Sequence, residues 1–157
     1  MGLRQGVLQR LIGGYKFQNM KASASILAEL LDARLPPLSD RIIIIPVPTS
    51  PSHIRERGYD HTLLIAQHLG YRRRLRVDHH LVERRHSKTQ HSATRTVRLA
   101  QAVSAFRLEG SINPTAIYLI VDDVVTTGST IEAVAQLLSR AGAKRILVAA
   151  LARQPLD

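Results

Sequence analysis

The chain of 157 residues contains no cysteine and no tryptophan, and aromatic residues make up only 4% of it. The absence of cysteine excludes disulfide bonds and thiolate metal sites. It also fits a reducing compartment, so we expect a cytoplasmic protein. No apolar run approaches the roughly 20 residues of a membrane-spanning helix, and no continuous apolar segment of the signal-peptide type is present near the N-terminus. With 45% hydrophobic residues, the chain can bury one sizeable aliphatic core. We therefore expect a single domain without membrane insertion.

Acidic residues are also scarce, because 12 Asp and Glu stand against 22 Lys and Arg, which leaves a formal net charge of +10. Much of this excess lies in residues 72–98, which contain nine basic and two acidic side chains. A basic surface attracts the phosphate backbone of nucleic acids, although few aromatic rings are available for base stacking. For Arg72 to Arg76, a solvated charged face is the alternative.

Helix and strand patterns alternate along the chain. Helices are expected at 3–12, 23–34, 60–69 and 129–141, with Gly70 and Gly142 ending the last two; strands are expected at 41–47, 75–78, 116–121 and 145–151. Strands that alternate with helices indicate an α/β fold with a mostly parallel central sheet flanked by helices.

The most informative stretch is 117–131, where an apolar strand is followed by Asp122 and Asp123, by a loop rich in hydroxyl groups, and by a helix. Ser129 and Glu132 have the spacing of a capping box, so the helix is expected to begin near Ser129. The free amides and the partial positive charge of a helix start form an anion site. Ligands of open α/β sheets bind beyond the carboxyl ends of strands, so this order suits a sugar diol beside a phosphate. An acid pair that caps a helix or a turn is the alternative.

This stretch resembles the phosphoribosyl pyrophosphate signature of type I phosphoribosyltransferases. The resemblance implies a single-domain type I phosphoribosyltransferase-like fold. It also implies that Asp122 and Asp123 are catalytic residues that contact the ribose hydroxyls and hold Mg²⁺, directly or through water. The residues expected with them around the ribose 5-phosphate are Val124, Val125, Thr126, Thr127, Gly128, Ser129 and Thr130.

A second set of residues resembles the ComF/GntX branch of that family, the competence protein F-like and amidophosphoribosyltransferase-like proteins. The resemblance rests on residues 15–17, 45–48, 55, 57–59, 63–66, 89–90, 98 and 105–106. The chain departs from the branch at Asp60-His61, where Asn-Gln is usual, and at Ala93 and Gln101, where Leu and Asn are usual. It also has no counterpart of the cysteine-rich zinc segment that often precedes the transferase domain. These departures affect the expected substrate contacts and leave the expected fold unchanged.

The loop after the first buried strand is the second candidate for phosphate binding. In the resembled family, this position carries the pyrophosphate loop. The residues expected to bind pyrophosphate are Pro48, Thr49, Ser50, Arg55 and Arg57. Arginine suits forked phosphate contacts, and prolines preset the shape of the loop. An ordinary proline-rich turn between a strand and a helix is the alternative.

Residues 83–90 are polar and basic, and they resemble the mobile catalytic hood loop of these transferases. Such a loop closes over the diphosphate and supplies cations to the leaving group. Arg84, Arg85 and Lys88 are the candidates, and the sequence does not choose among them. Residues 1–34 are expected to form a helical hood or N-terminal element, and residues 35–157 the core. The histidines at 79, 80, 86 and 91 lack the i, i+4 ligand spacing that would favour a zinc site.

The expected function is binding of phosphoribosyl pyrophosphate with Mg²⁺ and transfer of the phosphoribosyl group to an unidentified acceptor, with release of pyrophosphate. Two alternatives remain open. One is a competence-related DNA-uptake factor that binds single-stranded DNA or another nucleic acid through its basic face. The other is a sensor that binds phosphoribosyl pyrophosphate without chemistry, since a fold does not specify a function. A homodimer also stays open, because the sequence does not specify the oligomeric state.

Overall fold

The computed structural model describes residues 2–3, 13, 22–85 and 104–154. In this part of the chain the elements are β1 (Gly2–Leu3), α1 (Ser23–Asp32), β2 (Ile42–Pro46), α2 (Pro51–Arg57), α3 (His61–Arg73), β3 (Arg76–Val77), β4 (Val82–Arg84), β5 (Phe106–Leu108), β6 (Ile117–Val125), α4 (Ser129–Arg140) and β7 (Ile146–Arg153). No helix in these segments combines the length and the apolar character that crossing a membrane requires.

The central sheet has the strand order β1-β7-β6-β2-β3, and every pairing in it is parallel. Strand β6 lies in the middle, with Ile45 of β2 opposite Ile120 and Ala150 of β7 opposite Asp122. Strands β4 and β5 form a separate antiparallel pair. The expected α/β fold with a parallel central sheet flanked by helices is therefore confirmed.

Successive residues of β6 contribute to different halves of the core, because side chains of a strand alternate between the two faces of a sheet. Leu119 and Val121 pack in the cluster that includes buried residues of α1 and α3. Tyr118 and Ile120 pack in the cluster that includes residues of α4 and of the β4–β5 pair. Each face of the sheet is thus covered by its own apolar layer, as parallel sheets require.

Helix α1, which lies in the segment expected to form a helical hood or N-terminal element, packs in the core of the molecule. Ala24, Leu27, Ala28 and Leu31 are buried in one cluster with α3. Their spacing of three and four residues places them on one stripe of a helix. This apolar stripe is buried by packing on α3 and the sheet.

Several element boundaries also differ from the expected ones. Leu3 lies in β1, so the expected helix does not start there, and the rest of that helix lies outside the described residues. Helix α3 continues through Gly70 to Arg73. A Cβ at Gly70 would lie 2.5 Å from Val77 Cγ2 and 3.0 Å from the Leu75 oxygen, so this glycine permits close packing inside the helix and does not end it. The expected end of α4 at Gly142 is confirmed, because the helix stops at Arg140 and Gly142 has a φ of 105°.

Two further differences concern strands near the carboxyl rim of the sheet. Strand β6 extends to Val125, so Asp122 and Asp123 lie inside the strand and not after it. The short β4–β5 pair was not expected, because its three-residue strands fall within or beside the polar segment. Val82 and Phe106 nevertheless bury their side chains, and the pair covers part of the α4 face of the sheet.

Candidate functional site

An open cavity of ≈ 150 Å³ lies at the carboxyl ends of β2 and β6. Its walls come from the loop after β2, the start of α3, strands β4 and β6, and the start of α4. The lining residues are Val47, Pro48, Thr49, Ser50, His53, His61, Thr62, Arg84, Asp122 and Thr130. The carboxyl rim of a parallel sheet is where open α/β folds bind ligands, and this rim gathers hydroxyl, imidazole, guanidinium and carboxylate groups.

Asp122 supplies the carboxylate of this cavity. Its Oδ1 accepts a hydrogen bond of 2.8 Å from the backbone N–H of Asp123, which orients the side chain. Arg84 lines the same cavity, and its NH1 donates to the Pro48 oxygen at 3.5 Å. The Arg84 guanidinium also lies over the ring of Phe106, with Cζ 5.3 Å from the ring centre. The aromatic contact and the bond to the β2 loop hold the cation at the mouth of the cavity.

Arg84 and Asp122 also influence each other electrostatically. Desolvation of the guanidinium lowers the pKa of Arg84, and the attraction of the Asp122 carboxylate acts in the opposite direction. On the same wall, partial burial lowers the pKa of His53, and the Arg57 cation lowers it further. The Arg57 cation beside His53 adds positive charge on this side of the cavity, which favours an anionic ligand.

Asp123 has a different environment, because it points to the opposite face of the sheet from Asp122. It is only 3% exposed. Its Oδ2 lies 2.9 Å from Nε2 of His61, at the start of α3. Asp123 is not among the residues that line the cavity, so of the two expected ribose-binding acids only Asp122 faces it in this structure. The ribose and metal roles expected for Asp123 stay predictions.

His61 connects Asp123 to the loop after β2. Its ring is 6% exposed, and its Nδ1 lies 3.1 Å from NH1 of Arg57 and 3.4 Å from Oγ1 of Thr49. The Thr49 hydroxyl donates its proton to Asp60 Oδ1 at 2.8 Å. The Arg57 guanidinium can only donate hydrogen bonds, because it has no acceptor atom. Nδ1 must therefore accept from Arg57, which assigns the imidazole proton to Nε2, the nitrogen that lies 2.9 Å from Asp123 Oδ2.

The structural role of His61 was missed by the sequence reasoning, which noted it only as a departure from the branch pattern. A usable signal was present in the sequence. Asp60 is a good helix N-cap residue, and in the structure its Oδ1 accepts from the Leu63 N–H at 3.0 Å. His61 therefore lies on the first turn of α3, which begins at the carboxyl rim of the sheet, close to the acids of the neighbouring strand β6.

The expected pyrophosphate-binding residues divide into two groups. Pro48, Thr49 and Ser50 line the cavity. Ser50 is also the N-cap of α2, and its hydroxyl accepts from the His53 N–H at 3.4 Å. Arg57 contacts His61, and Arg55 is exposed on α2, so neither arginine contributes to the cavity wall.

The segment after Asp123 places one of its residues on the cavity wall. Thr130, on the first turn of α4, lines the cavity. Thr126 and Thr127 are exposed, and the Thr127 and Ser129 hydroxyls lie 2.9 Å apart. Val124 and Val125 complete β6.

The expected capping box at the start of α4 is wrong. Gly128, with a φ of 81°, occupies the N-cap position. Ser129 is therefore already the first helical residue and cannot cap the helix with its side chain. Glycine suits this position because a side chain would strain a backbone with positive φ, and the first-turn amides of α4 begin directly after it.

The candidates from the hood loop have different outcomes. Arg84 lines the cavity, whereas Arg85 is exposed beside it, and the Arg85 N–H donates to the Ala105 oxygen at 2.7 Å. Lys88 lies outside the described residues.

The His79 and His80 rings pack on each other with centroids 3.8 Å apart. Within the described segments, no group of three or more potential metal-ligating side chains occurs.

Comparison with known proteins identifies the family. Residues 63–157, which include β6, the segment after Asp123 and α4, match the family model described as the phosphoribosyl transferase domain. The chain belongs to this family. The chain is similar to DNA utilization protein YhgH of Salmonella typhi, with 37% identity over 155 residues, 93% of this chain and 67% of the relative. It is also similar to competence protein F of Haemophilus influenzae, with 36% identity over 155 residues, 93% of this chain and 68% of the relative. These matches confirm the resemblance to the ComF-like branch.

A solved structure described as the allosteric regulatory enzyme of purine biosynthesis shares the fold of the phosphoribosyl transferase domain. The TM-score is 0.52 with 16% sequence identity, and the match covers 83% of this chain and 26% of that one. At this identity the likeness shows the fold alone. The chain spans about two thirds of the length of the two curated relatives.

Proposed function

We propose that the cavity binds phosphoribosyl pyrophosphate with Mg²⁺ and that the protein transfers the phosphoribosyl group to an acceptor while pyrophosphate leaves. The observation that carries this proposal is the convergence of Asp122, Arg84, the loop after β2 and the start of α4 on one cavity. This ligand needs three kinds of group, namely a carboxylate for its diol, a cation for the leaving diphosphate and a helix start for its phosphate. The chain is a phosphoribosyltransferase-like protein by family. We further propose that it acts in the cytoplasm, since it has no cysteine.

Each wall of the cavity has a proposed role. The first-turn amides of α4 and the Thr130 hydroxyl bind the 5-phosphate, because helix starts offer unpaired N–H groups. Asp122 accepts hydrogen bonds from the ribose hydroxyls. Thr49 and Ser50 contact the diphosphate through backbone amides and hydroxyls, and Pro48, which has no backbone N–H, presets the shape of the loop. Asp123 supports this arrangement through its backbone N–H, which orients Asp122.

The donor groups fit Mg²⁺ bound together with the substrate. Asp122 and the hydroxyls of Thr49, Ser50 and Thr130 provide oxygen atoms on the cavity walls, and Mg²⁺ is commonly held by one or two carboxylates plus substrate phosphates. The described residues contain no larger cluster of metal ligands, which agrees with a metal that arrives with the diphosphate. When bound, Mg²⁺ would neutralise part of the diphosphate charge and thereby improve the leaving group.

The proposed transfer breaks the bond between C1′ and the diphosphate oxygen, and the electron pair leaves with pyrophosphate. An acceptor lone pair forms the new bond at the positively charged, oxocarbenium-like C1′. Arg84 lies at the cavity mouth, where its cation stabilises the negative charge of the departing diphosphate. The remaining residues hold both reactants in position, which is itself a large part of catalysis.

A binding experiment tests this assignment. Titration of phosphoribosyl pyrophosphate in the presence of Mg²⁺ is followed by calorimetry for the wild type, Asp122→Asn and Asp40→Asn. The amide keeps the size of Asp122 but loses its charge, so we expect Asp122→Asn to bind at least about tenfold more weakly, because hydrogen bonds to charged groups contribute about 1.5–3 kcal/mol. Asp40 is exposed beside the start of β2, away from the cavity, and its variant should bind like the wild type.

Pyrophosphate release then separates a transferase from a sensor. Release above the background rate with any of a panel of nucleobases, and its loss in Asp122→Asn, would support transfer. Tight binding without release for any acceptor would favour a sensor. Equal binding by Asp122→Asn and the wild type, or no binding at all, would contradict the assignment of the cavity.

A second candidate function rests on the names of the relatives. One is called a DNA utilization protein and another a competence protein, and the chain has a net charge of +10. We propose that handling of single-stranded nucleic acid is this second function. It does not require the cavity, so it is compatible with the first.

A further inference from the structure

The end of the sheet opposite the cavity carries a band of exposed cationic residues. We define the basic rim as Arg34, Arg41, Arg74, Arg140, Lys144 and Arg145, all of which are exposed. They lie where α1, α3 and α4 end and where β2 and β7 begin. The parallel sheet gathers them, because these helix ends and strand starts all lie at the amino end of the strands.

Backbone pairing shows that members of the basic rim are neighbours. The N–H of Ile117 donates to the Arg41 oxygen at 3.1 Å, and the N–H of Tyr118 donates to the Arg145 oxygen at 3.0 Å. Arg41 and Arg145 therefore flank the start of β6 on its two sides. Ile43 of β2 pairs with Arg76 of β3. Arg41 lies two residues before Ile43, and Arg74 lies two residues before Arg76, so both arginines lie at the start of neighbouring strands.

Little acidic charge offsets this band. Asp32, at the end of α1, is already paired with Arg72 and Arg73. Asp40 lies next to Arg41 and accepts a hydrogen bond from Ser39 at 3.2 Å. Arg72 and Arg73 thus contribute to packing between α1 and α3, and Arg76 pairs with Asp78. At this end of the sheet, the cations left for a partner are those of the basic rim, which shares only Arg74 with the Arg72–Arg76 run.

Tyr71 adds a feature that charge alone does not explain. It lies on the last turn of α3, directly before Arg72, and it is 88% exposed. Tyr59 and Tyr118 are buried by contrast. Basic residues at helix ends also interact favourably with the helix dipole, but this accounts neither for Arg41, which precedes a strand, nor for an exposed aromatic ring.

We propose that Tyr71 and the basic rim bind single-stranded nucleic acid, with a base stacked on the Tyr71 ring and backbone phosphates on the cations of the rim. Exposed aromatic rings beside cationic grooves bind single strands because every base has a stacking face. In a duplex these faces are already covered by neighbouring bases. The proposal rests on the second candidate function and locates it at the end of the sheet away from the cavity.

The stacking contact has a direct test, because the chain contains no tryptophan. Tyr71→Trp introduces a single fluorophore at the proposed contact, and a short oligothymidylate should quench its emission to saturation. Affinity measured by anisotropy of a labelled oligothymidylate should fall roughly 5- to 100-fold in Tyr71→Ala and stay within about twofold of the wild type in Tyr71→Phe. The same sequence as a duplex should bind more weakly than the single strand.

The charged contacts are tested with a pair of substitutions at opposite ends of one strand. Arg145 directly precedes β7, and Arg153 is its last residue. Arg145→Glu should weaken oligothymidylate binding, whereas Arg153→Glu should have little effect. In the triple variant Arg34→Glu/Arg41→Glu/Lys144→Glu, the slope of log affinity against log salt should decrease by about 2, since each phosphate contact on a single strand releases about 0.7 counterions.

The possible outcomes distinguish a failure of the proposed binding surface from a failure of the second candidate function. No binding of oligothymidylate by the wild type would overturn both the surface and the second candidate function. Binding that is unchanged in Tyr71→Ala and in the triple variant, with both variants folded by circular dichroism, would overturn the surface only. Equal or tighter binding to vesicles that contain anionic lipid, also insensitive to Tyr71→Ala, would show a general polyanion surface and contradict the proposal.

Discussion

At the scale of single residues, two adjacent carboxylates occupy different environments. Asp122 and Asp123 follow each other in β6, so their side chains leave opposite faces of the sheet. Asp122 faces the cavity and Arg84, whereas Asp123 is buried against His61. Only Asp122 therefore faces the cavity in this structure, and the ligand-binding roles expected for the two acids stay predictions.

This difference leads to a prediction about His61. Removing its ring in His61→Ala takes away the Nε2 contact of a buried carboxylate and the acceptor of Arg57. Leaving such buried polar groups without these partners should lower the free energy of unfolding by about 1–3 kcal/mol. His61→Gln retains both a donor and an acceptor, so its loss should be smaller. Urea denaturation of both variants measures the difference, and equal stability of the Ala and Gln variants would contradict the proposed contact.

At the scale of elements, α1 and α3 are held together by both apolar packing and a charged contact. The apolar residues of the two helices share one buried cluster. Beside it, Asp32 pairs with Arg72 and Arg73. Arg73 also donates to backbone oxygens at the end of α1, at 3.0 Å for Asp32 and 3.4 Å for Leu35. An arginine of one helix thus satisfies the free carbonyl groups at the end of the other.

The Asp32 contact should make stability depend on pH. The hydrogen bond from Arg73 lowers the pKa of Asp32 below its ordinary value of 3.8, desolvation opposes this effect, and the hydrogen bond from Arg72 adds to it. Because the folded-state pKa is the lower one, the stabilisation is present above pH 3.8 and is lost as the pH falls through the folded-state pKa. Asp32→Asn should therefore lower the free energy of unfolding by about 1 kcal/mol at neutral pH, and the difference should disappear in acid.

Urea denaturation between neutral pH and pH 3 measures this dependence. Asp40→Asn is the matched control, since Asp40 is an exposed acid with a serine as its partner. It should keep the pH profile of the wild type. A constant difference between Asp32→Asn and the wild type at every pH would show that the contribution of Asp32 is not that of an ionised group.

At the scale of the whole molecule, the parallel sheet separates the two surfaces for which we propose functions. The cavity lies at the carboxyl ends of the strands, and the basic rim lies at their amino ends. The walls of the cavity come from the loop after β2, from α3, β4, β6 and α4, which lie far apart in the sequence. A ligand in the cavity would therefore contact much of the fold at once.

A ligand that bridges these elements should stabilise the whole molecule. At a concentration of phosphoribosyl pyrophosphate with Mg²⁺ about 100 times its dissociation constant, the free energy of unfolding should rise by about 2.7 kcal/mol. Denaturation midpoints measured over a range of ligand concentrations check this rise. Asp40→Asn should show the full rise, whereas Asp122→Asn should rise by about 1.4 kcal/mol or less at the same concentrations, because its affinity is expected to be at least about tenfold lower. An unchanged midpoint for the wild type would contradict specific binding to the folded state.

Much of this architecture was predictable because it depends on local patterns. The apolar runs of β2 and β6 and the amphipathic stripe of α1 indicate their elements directly. The order of a strand, two acids, a hydroxyl-rich loop and a helix predicted a ligand site at the carboxyl rim, and the family match confirms the resemblance on which this prediction rested. The individual roles of the site residues stay predictions for the experiments above.

Other features depend on contacts between distant segments and could not be read locally. Gly70 resembles a helix end in the sequence, but the approach of Val77 makes it a packing position inside α3. The length of β6 is set by its pairing with β7 up to Arg153, and this length places Asp122 and Asp123 on opposite faces. His61 reaches Asp123, Arg84 reaches the cavity, and Arg72 and Arg73 reach Asp32 only because separate elements pack together. Residue order specifies which chemical groups are present and which elements they join. Packing across the sheet determines which groups meet, because the contacts of His61, Arg84, Arg72 and Arg73 span 36 to 62 residues along the chain.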